Sequence, residues 1–152
     1  ARLFRRVGTH NQKEKTMTNF LLDTNILIRC LRKTKGYNHL LATLAASDWL
    51  TISAMTRFEI IRGMRDHERE TTFNLLNSME TLVVSADIAD AAGGMVKAGR
   101  TKGFSHADAD AIIAATAMQH GLALVTTNAK HFSMHNLVVY EADPVGQITL
   151  RE

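Results

Sequence analysis

Acidic side chains in three separate parts of the chain are the residues whose types point to chemistry. Asp23 follows a short apolar run, Glu59 lies in the stretch TISAMTRFEIIRGM, and Asp110 lies in a helical pattern that is apolar on nearly every side. An ionised carboxylate on an apolar face is costly unless a cation or several hydrogen-bond donors meet it. Three carboxylates that converge would repel one another unless a divalent metal ion joined them. Oxygen ligands favour Mg²⁺ or Mn²⁺, and phosphodiester hydrolysis by a metal-activated water is the natural use of such a site.

Each acid taken alone also has an ordinary structural interpretation. Asp23 or the adjacent Thr24 is suited to cap the helix that follows, and Glu59 has arginine neighbours that would pair with it on a solvated helix face. Asp110 would be tolerated as a buried acid paired with an arginine. Asp108 is the better capping candidate on that helix and the second choice for its metal-ligating acid. The case for a site therefore depends on the acids meeting.

The apolar pattern alternates along the chain between strand-like runs and helical spacing. The runs that predict strands are apolar on both sides, which favours a mainly parallel central sheet covered on both faces, a three-layer α/β/α fold. In such a sheet the ligand site lies beyond the carboxyl ends of the strands, where Asp23 and Asn128 follow two of the runs. Ser105 is the expected N-cap of the last helix. The predicted strands are 20–22, 50–53, 81–85, 122–126 and 136–140, and the predicted helices are 25–33, 37–46, 56–65, 69–79, 86–101 and 105–121.

Length and composition limit the class of protein. The chain has 152 residues, 45% apolar and 22% charged, which is typical of one globular domain. No apolar run approaches the ~18 residues of a membrane-spanning helix, so no membrane role is expected. The single cysteine, Cys30, excludes an internal disulfide and a cysteine-based zinc site, and a reducing, cytoplasmic location is expected.

The positive charge is unevenly distributed. The formal net charge is +3, yet residues 1–16 carry five basic side chains and one acid, which leaves 13 basic and 14 acidic side chains in residues 17–152. We predict that residues 1–16 are an N-terminal extension, disordered or foreign to the native protein, and that residues 17–152 form a single domain. Arg32 and Lys33 adjoin the first acid in sequence and are expected to present a positive rim to a phosphate backbone.

Three segments carry a resemblance to a known family. LLDTNILI, TISAMTRFEIIRGM and DADAIIAATAMQHGLALVTTNAKHF occur in an order and spacing that resembles the PIN domain, specifically the VapC-type toxins of bacterial VapBC toxin–antitoxin pairs. The similarity covers residues 18–141, and its third segment is the most specific. The resemblance implies a PIN-like fold and a metal-dependent endoribonuclease toxin, usually a homodimer. It also implies inhibition by a cognate VapB-type antitoxin, with operator DNA contacted only through the antitoxin complex.

The resemblance also assigns site residues. Asp23, Glu59 and Asp110 match the three family acids and would ligate Mg²⁺ (or Mn²⁺), Glu59 directly or through water. The fourth acidic position of many members falls on Asn128, which would orient water or substrate. The residues expected to position substrate are Thr24, Asn25 and Thr127, together with Arg32 and Lys33.

Two alternatives stay open at this point. Because Asn128 lowers the charge of the site by one, the protein could be a weak catalyst that acts mainly as a co-repressor with a DNA-binding antitoxin. A phospho-accepting receiver domain fits less well, since its acceptor aspartate would follow a middle strand and a separate acidic pair would follow the first. The RNA target, the cleavage site and the number of metal ions stay undetermined by the sequence.

Overall fold

The computed structural model describes residues 19–47, 49–134 and 136–151. Its centre is a sheet of six strands in the order β3-β2-β1-β4-β5-β6. Neighbouring strands are parallel except for β6, which runs antiparallel to β5. The strands are β1 (Phe20–Leu22), β2 (Leu50–Ser53), β3 (Glu80–Leu82), β4 (Ala123–Thr126), β5 (Val139–Ala142) and β6 (Ile148–Leu150).

In the described part of the chain six α-helices connect or flank these strands, so the predicted alternation of strands and helices is confirmed. Two short 3₁₀ turns, Asp66–Glu68 and Ala129–His131, lie between longer elements. The helices are α1 (Thr24–Leu31), α2 (Tyr37–Ser47), α3 (Ala54–Gly63), α4 (Arg69–Asn77), α5 (Ala86–Thr101) and α6 (Asp108–Gln119). Residues 1–16, the predicted extension, lie outside the described residues.

Both faces of the sheet are buried, which confirms the three-layer α/β/α fold. Leu22 and Val125 of the central strands pack in one apolar cluster with Ile26 of α1. Leu21, which points to the opposite face because side chains alternate along a strand, packs in another cluster with Ile113 of α6. Within the described residues, no helix has both the length and the apolarity needed to cross a membrane.

The start of α6 differs from the prediction. Ser105 does not cap the helix; α6 begins at Asp108, its N-cap residue is Ala107, and no side chain caps it. The Phe104 and His106 rings pack edge to face with centroids 4.9 Å apart, which places the segment before the helix against α5. Asp110 consequently lies in the first turn of α6, where we had expected it beyond the first turn.

The outer strands differ as well. The run predicted as a strand over 81–85 forms β3 only as far as Leu82, because Val83 and Val84 are 71% and 37% exposed and have no partner strand to pack beside. The strand predicted over 136–140 begins at Val139. β6 was not predicted, since it is short and mostly exposed.

Candidate functional site

The two central strands place polar residues at one edge of the sheet. From β1 the chain builds β2 and β3 on one side, whereas β4 leads to β5 and β6 on the other, so the strand order reverses between β1 and β4. Ligand sites of open parallel sheets lie at such a reversal, beyond the carboxyl ends of the strands. Asp23 directly follows β1, and Asn128 follows β4 by two residues.

A pocket of about 190 Å³ lies at this edge and brings together most of the predicted site. The three acids line it although they come from the end of β1, from α3 and from the first turn of α6. The lining residues are Asp23, Thr24, Asn25, Ile28, Glu59, Arg62, Asp110, Asn128, His131 and Phe132.

Asp23 caps α1 and also lines the pocket, so it combines the capping role with a place in the candidate site. The backbone N–H of Thr24 donates to Oδ1 over 2.8 Å, and the Thr126 hydroxyl donates to Oδ2 over 2.7 Å. The residue is 4% exposed, and burial raises the pKa of its carboxyl to about 6. The two hydrogen bonds lower this pKa, whereas the negative charges of Asp110 and Glu59 raise it further. The site thus holds negative charges close enough to repel one another.

Glu59 is held in place by a hydroxyl from the neighbouring helix. The Thr24 hydroxyl donates to Oε1 of Glu59 over 2.6 Å and lies 3.0 Å from the buried Thr56 hydroxyl. Both threonines stand at helix beginnings, where α1 and α3 approach each other. A short hydrogen bond to a carboxylate restricts its rotamers, so Glu59 points at the pocket rather than lying on a solvated helix face.

Asp110 is the acid of α6 that faces the pocket, and Asp108 is exposed and does not line it. Burial raises the pKa of Asp110, Glu59 adds to the rise, and two histidines oppose it. The larger of these two effects comes from His131, whose Nδ1 lies 3.5 Å from Oδ2 of Asp110.

A second groove of about 480 Å³ adjoins the acidic pocket. Ile28 and Glu59 line both, so the groove and the acidic pocket meet at Glu59. Arg32 and Lys33, predicted to position substrate, are exposed on the wall of this groove rather than in the pocket, and Arg65 lies in the same lining.

Several polar residues of the site were not predicted from the sequence. Thr127 was expected to supply a hydroxyl, but it does not line the pocket, and the hydroxyl that reaches Asp23 is that of Thr126. The sheet register explains this: Leu22 lies opposite Val125, so the next residues, Asp23 and Thr126, are also neighbours. Arg62 and His131 also line the pocket. Neither was predicted as a site residue, because the direction of α3 and a 3₁₀ turn bring them to the pocket.

The chemical types of the side chains in the pocket fit a divalent cation. Three carboxylates and one amide share the pocket, and the mutual repulsion of the acids is relieved by positive charge. In the part of the chain that the structure describes, no group of three or more acidic, histidine or cysteine side chains is arranged so that it could hold a metal ion. Cation binding would therefore require side-chain rotation that draws the acids together.

Comparison with known proteins places the chain in a family. The model of the PIN domain matches residues 20–135. The chain belongs to the PIN domain family, as the three sequence segments indicated.

Curated relatives agree with this assignment. Ribonuclease VapC19 of Mycobacterium tuberculosis is 32% identical over 115 residues, which cover 75% of this chain and 92% of that protein. Ribonuclease VapC10 of the same organism is 34% identical over 123 residues, with 75% of this chain and 86% of that protein covered. Ribonuclease VapC1 of Methanocaldococcus jannaschii is 30% identical over 120 residues, with 78% and 82% covered.

Solved structures show the same fold. A toxin–antitoxin complex from Klebsiella pneumoniae contains a chain that is 29% identical, with a TM-score of 0.65 and coverage of 78% of this chain and 93% of that one. VapBC2 of Rickettsia felis, solved with a promoter DNA fragment, matches with a TM-score of 0.73 at 24% identity, covering 83% of this chain and all of its counterpart. The PIN-like fold predicted from the sequence is confirmed.

Proposed function

We propose that the protein is a metal-dependent endoribonuclease toxin of the VapC type. The observation that carries this proposal is the meeting of Asp23, Glu59 and Asp110 in one pocket at the reversal of strand order. The relatives that cover most of the chain at 30% identity or more are named ribonucleases, which supports RNA as the substrate.

The acids of the pocket and Asn128 would have different roles in phosphodiester hydrolysis. Asp23 and Asp110 would hold Mg²⁺ or Mn²⁺, with Glu59 as a further ligand directly or through water. The cation, when bound, supplies Lewis acidity and neutralises charge that develops on the scissile phosphate. Asn128 carries no charge, and its amide is suited to orient the attacking water or a phosphate oxygen through hydrogen bonds.

The surroundings of the acids orient them for this role. The Thr126 hydroxyl and the Thr24 backbone N–H fix both oxygens of Asp23, and the Thr24 hydroxyl fixes Glu59. Asn25 completes the pocket wall beside them. Because these donors restrict Asp23 and Glu59 before substrate binds, the reorganisation that remains is the side-chain rotation that draws the acids around the cation.

RNA would reach the acids along the adjoining groove. Arg32 and Lys33 lie on the wall of the groove, close in sequence to α1, which also carries the Asp23 cap. Exposed cations of this kind contact phosphates and position a strand without reading its sequence. The prediction for the N-terminal extension follows: removal of residues 1–16 leaves cleavage intact.

We further propose that a VapB-type antitoxin inhibits the enzyme and that operator DNA is contacted only through that complex. The Klebsiella neighbour was solved as a toxin–antitoxin complex, which supports such a partner. A homodimer in the cytoplasm is the assembly and location that family membership favours.

The test is to express the protein in a bacterial host with and without a neighbouring antitoxin and to map new 5′ ends in total RNA. We expect discrete cleavage sites that the antitoxin suppresses and that vanish in Asp110→Asn. The matched control is Asp108→Asn, which changes an exposed acid two residues away. Absence of cleavage together with operator binding by the toxin–antitoxin pair would instead identify a co-repressor.

A further inference from the structure

His131 lines the acidic pocket but has no role in the site described so far. It belongs to the 3₁₀ turn that follows Asn128, and its side chain is half-exposed. The imidazole Nδ1 lies 3.5 Å from Oδ2 of Asp110, whose side chain is 23% exposed. A side chain that borders the pocket and contacts one of its acids is positioned to act on whatever binds there.

The separation of the two atoms is informative. It is longer than the ~2.7–3.2 Å of a good hydrogen bond. Two donor atoms that each lie ~2.1 Å from the same metal ion are ~3.0 Å apart at a right angle and ~3.4 Å apart at a tetrahedral angle. The 3.5 Å separation lies in the range of a charge pair, and a shift of about 0.5 Å would bring the two atoms to the ~3.0 Å of neighbouring ligands in the octahedral geometry that Mg²⁺ and Mn²⁺ favour.

The backbone that carries His131 is held from several sides. The Asn128 N–H donates to the Thr126 hydroxyl over 3.0 Å, and the Ala129 N–H donates to a carboxylate oxygen of Glu141 over 3.2 Å. Glu141 also pairs with Arg151. The turn is thus tied to β4 and β5, which holds the imidazole of His131 at the pocket.

We propose that His131 supplies an imidazole nitrogen to the cation held by Asp110, so that the site prefers Mn²⁺ to Mg²⁺. The inference rests on the proposed function, because it assumes that a cation binds among the three acids. Mn²⁺ shares the preference of Mg²⁺ for carboxylate, carbonyl and water oxygens, but as a transition-metal ion it accepts an imidazole nitrogen more readily than Mg²⁺ does. With Asn128 at the position of a fourth acid, the pocket combines three charged oxygen ligands with a neutral nitrogen donor.

The test uses Mn²⁺ as the probe with the full-length, metal-depleted protein. Electron spin echo spectroscopy detects ¹⁴N nuclei coordinated to Mn²⁺, and titration calorimetry gives the dissociation constants of Mn²⁺ and Mg²⁺. We expect a coordinated ¹⁴N signal in the wild type and its loss in His131→Asp. This substitution supplies an oxygen ligand instead, so the ratio of Mn²⁺ to Mg²⁺ affinity should fall about tenfold or more.

His120→Asn is the matched control. His120 is exposed at the C-terminal end of α6 and does not line the pocket, so the ¹⁴N signal and the affinity ratio should be unchanged in this variant. Mn²⁺ binding that needs Asp110 but shows no coordinated ¹⁴N would overturn the role of His131 and leave the proposed nuclease intact. If neither the wild type nor the variants bind Mn²⁺, both the role of His131 and the proposed metal-dependent nuclease would be overturned.

Discussion

Replacing Asp23 by asparagine is expected to stabilise the metal-free protein while it removes activity. The carboxyl of Asp23 is buried, and its pKa is raised from 3.8 to about 6, mainly by burial. A folded state with a raised acid pKa binds the proton more tightly than the unfolded chain does. The stability contributed by this group is therefore complete below about pH 4 and is lost as the pH rises through about 6.

The size of the effect follows from the shift. About 2 pKa units at ~1.4 kcal/mol each amount to ~3 kcal/mol at about pH 8, where the wild-type acid is ionised in the folded state. Asparagine stays neutral, and its oxygen and amide can replace both hydrogen bonds: the oxygen accepts from the Thr24 N–H, and the amide donates to Thr126. For a chain of this length ~3 kcal/mol corresponds to a rise of ~6–12 °C in Tm.

The assay is urea denaturation followed by circular dichroism in EDTA, at about pH 8 and about pH 4. We expect Asp23→Asn to exceed the wild type in stability at the higher pH and to match it at the lower one. Asp108→Asn, at an exposed position, serves as the control and should change neither value. A variant that is equally or less stable than the wild type at about pH 8 would refute the argument from burial and repulsion.

Three further predictions concern a buried hydroxyl, the groove and a turn. Thr126→Val removes a donor from the buried carboxylate after β1 and should lower stability at neutral pH by ~1–3 kcal/mol in urea denaturation, whereas Thr126→Ser should not. Arg32→Glu combined with Lys33→Glu should raise KM for RNA more than it lowers kcat, and an unchanged KM would remove these residues from the substrate path. Gly36→Ala places a Cβ 1.9 Å from a backbone carbonyl at a φ of +89° and should unfold the chain or nearly so. At Gly103, where φ is +91° but space is open, the same change should cost ~1 kcal/mol in thermal denaturation.

Much of the fold was predictable because the spacing of apolar residues indicates which faces of the helices and strands are buried. The strand at Phe20–Leu22, the helix at Ala86–Thr101 and the strand at Leu50–Ser53 have the predicted bounds. All three have strong local patterns. The start of α6 was not predictable, because the segment before the helix packs against Gly99 of α5, a contact that the capping preference of Ser105 does not reveal.

The candidate site, like the fold, was predictable in part: its acids were predicted from the sequence, and other side chains were not. The acids stood out because a carboxylate beside buried apolar residues requires a partner, and the structure places all three in one pocket. The contributions of Thr126 and His131 depend on strand register and on a 3₁₀ turn, which are set by contacts distant in sequence. The sequence of β6 gave no signal, because the strand is short and mostly exposed and is defined by pairing with β5 rather than by its own periodicity.

The most direct test of the central claim is cleavage of RNA by the purified protein as a divalent cation is added and removed. We predict cleavage with Mn²⁺ or Mg²⁺, none in EDTA, and recovery on adding the cation back. Asp23→Asn and Asp110→Asn should be folded and inactive, with Asp108→Asn active. Cation-independent cleavage, or full activity in either of the first two variants, would contradict a metal-dependent nuclease built on these acids.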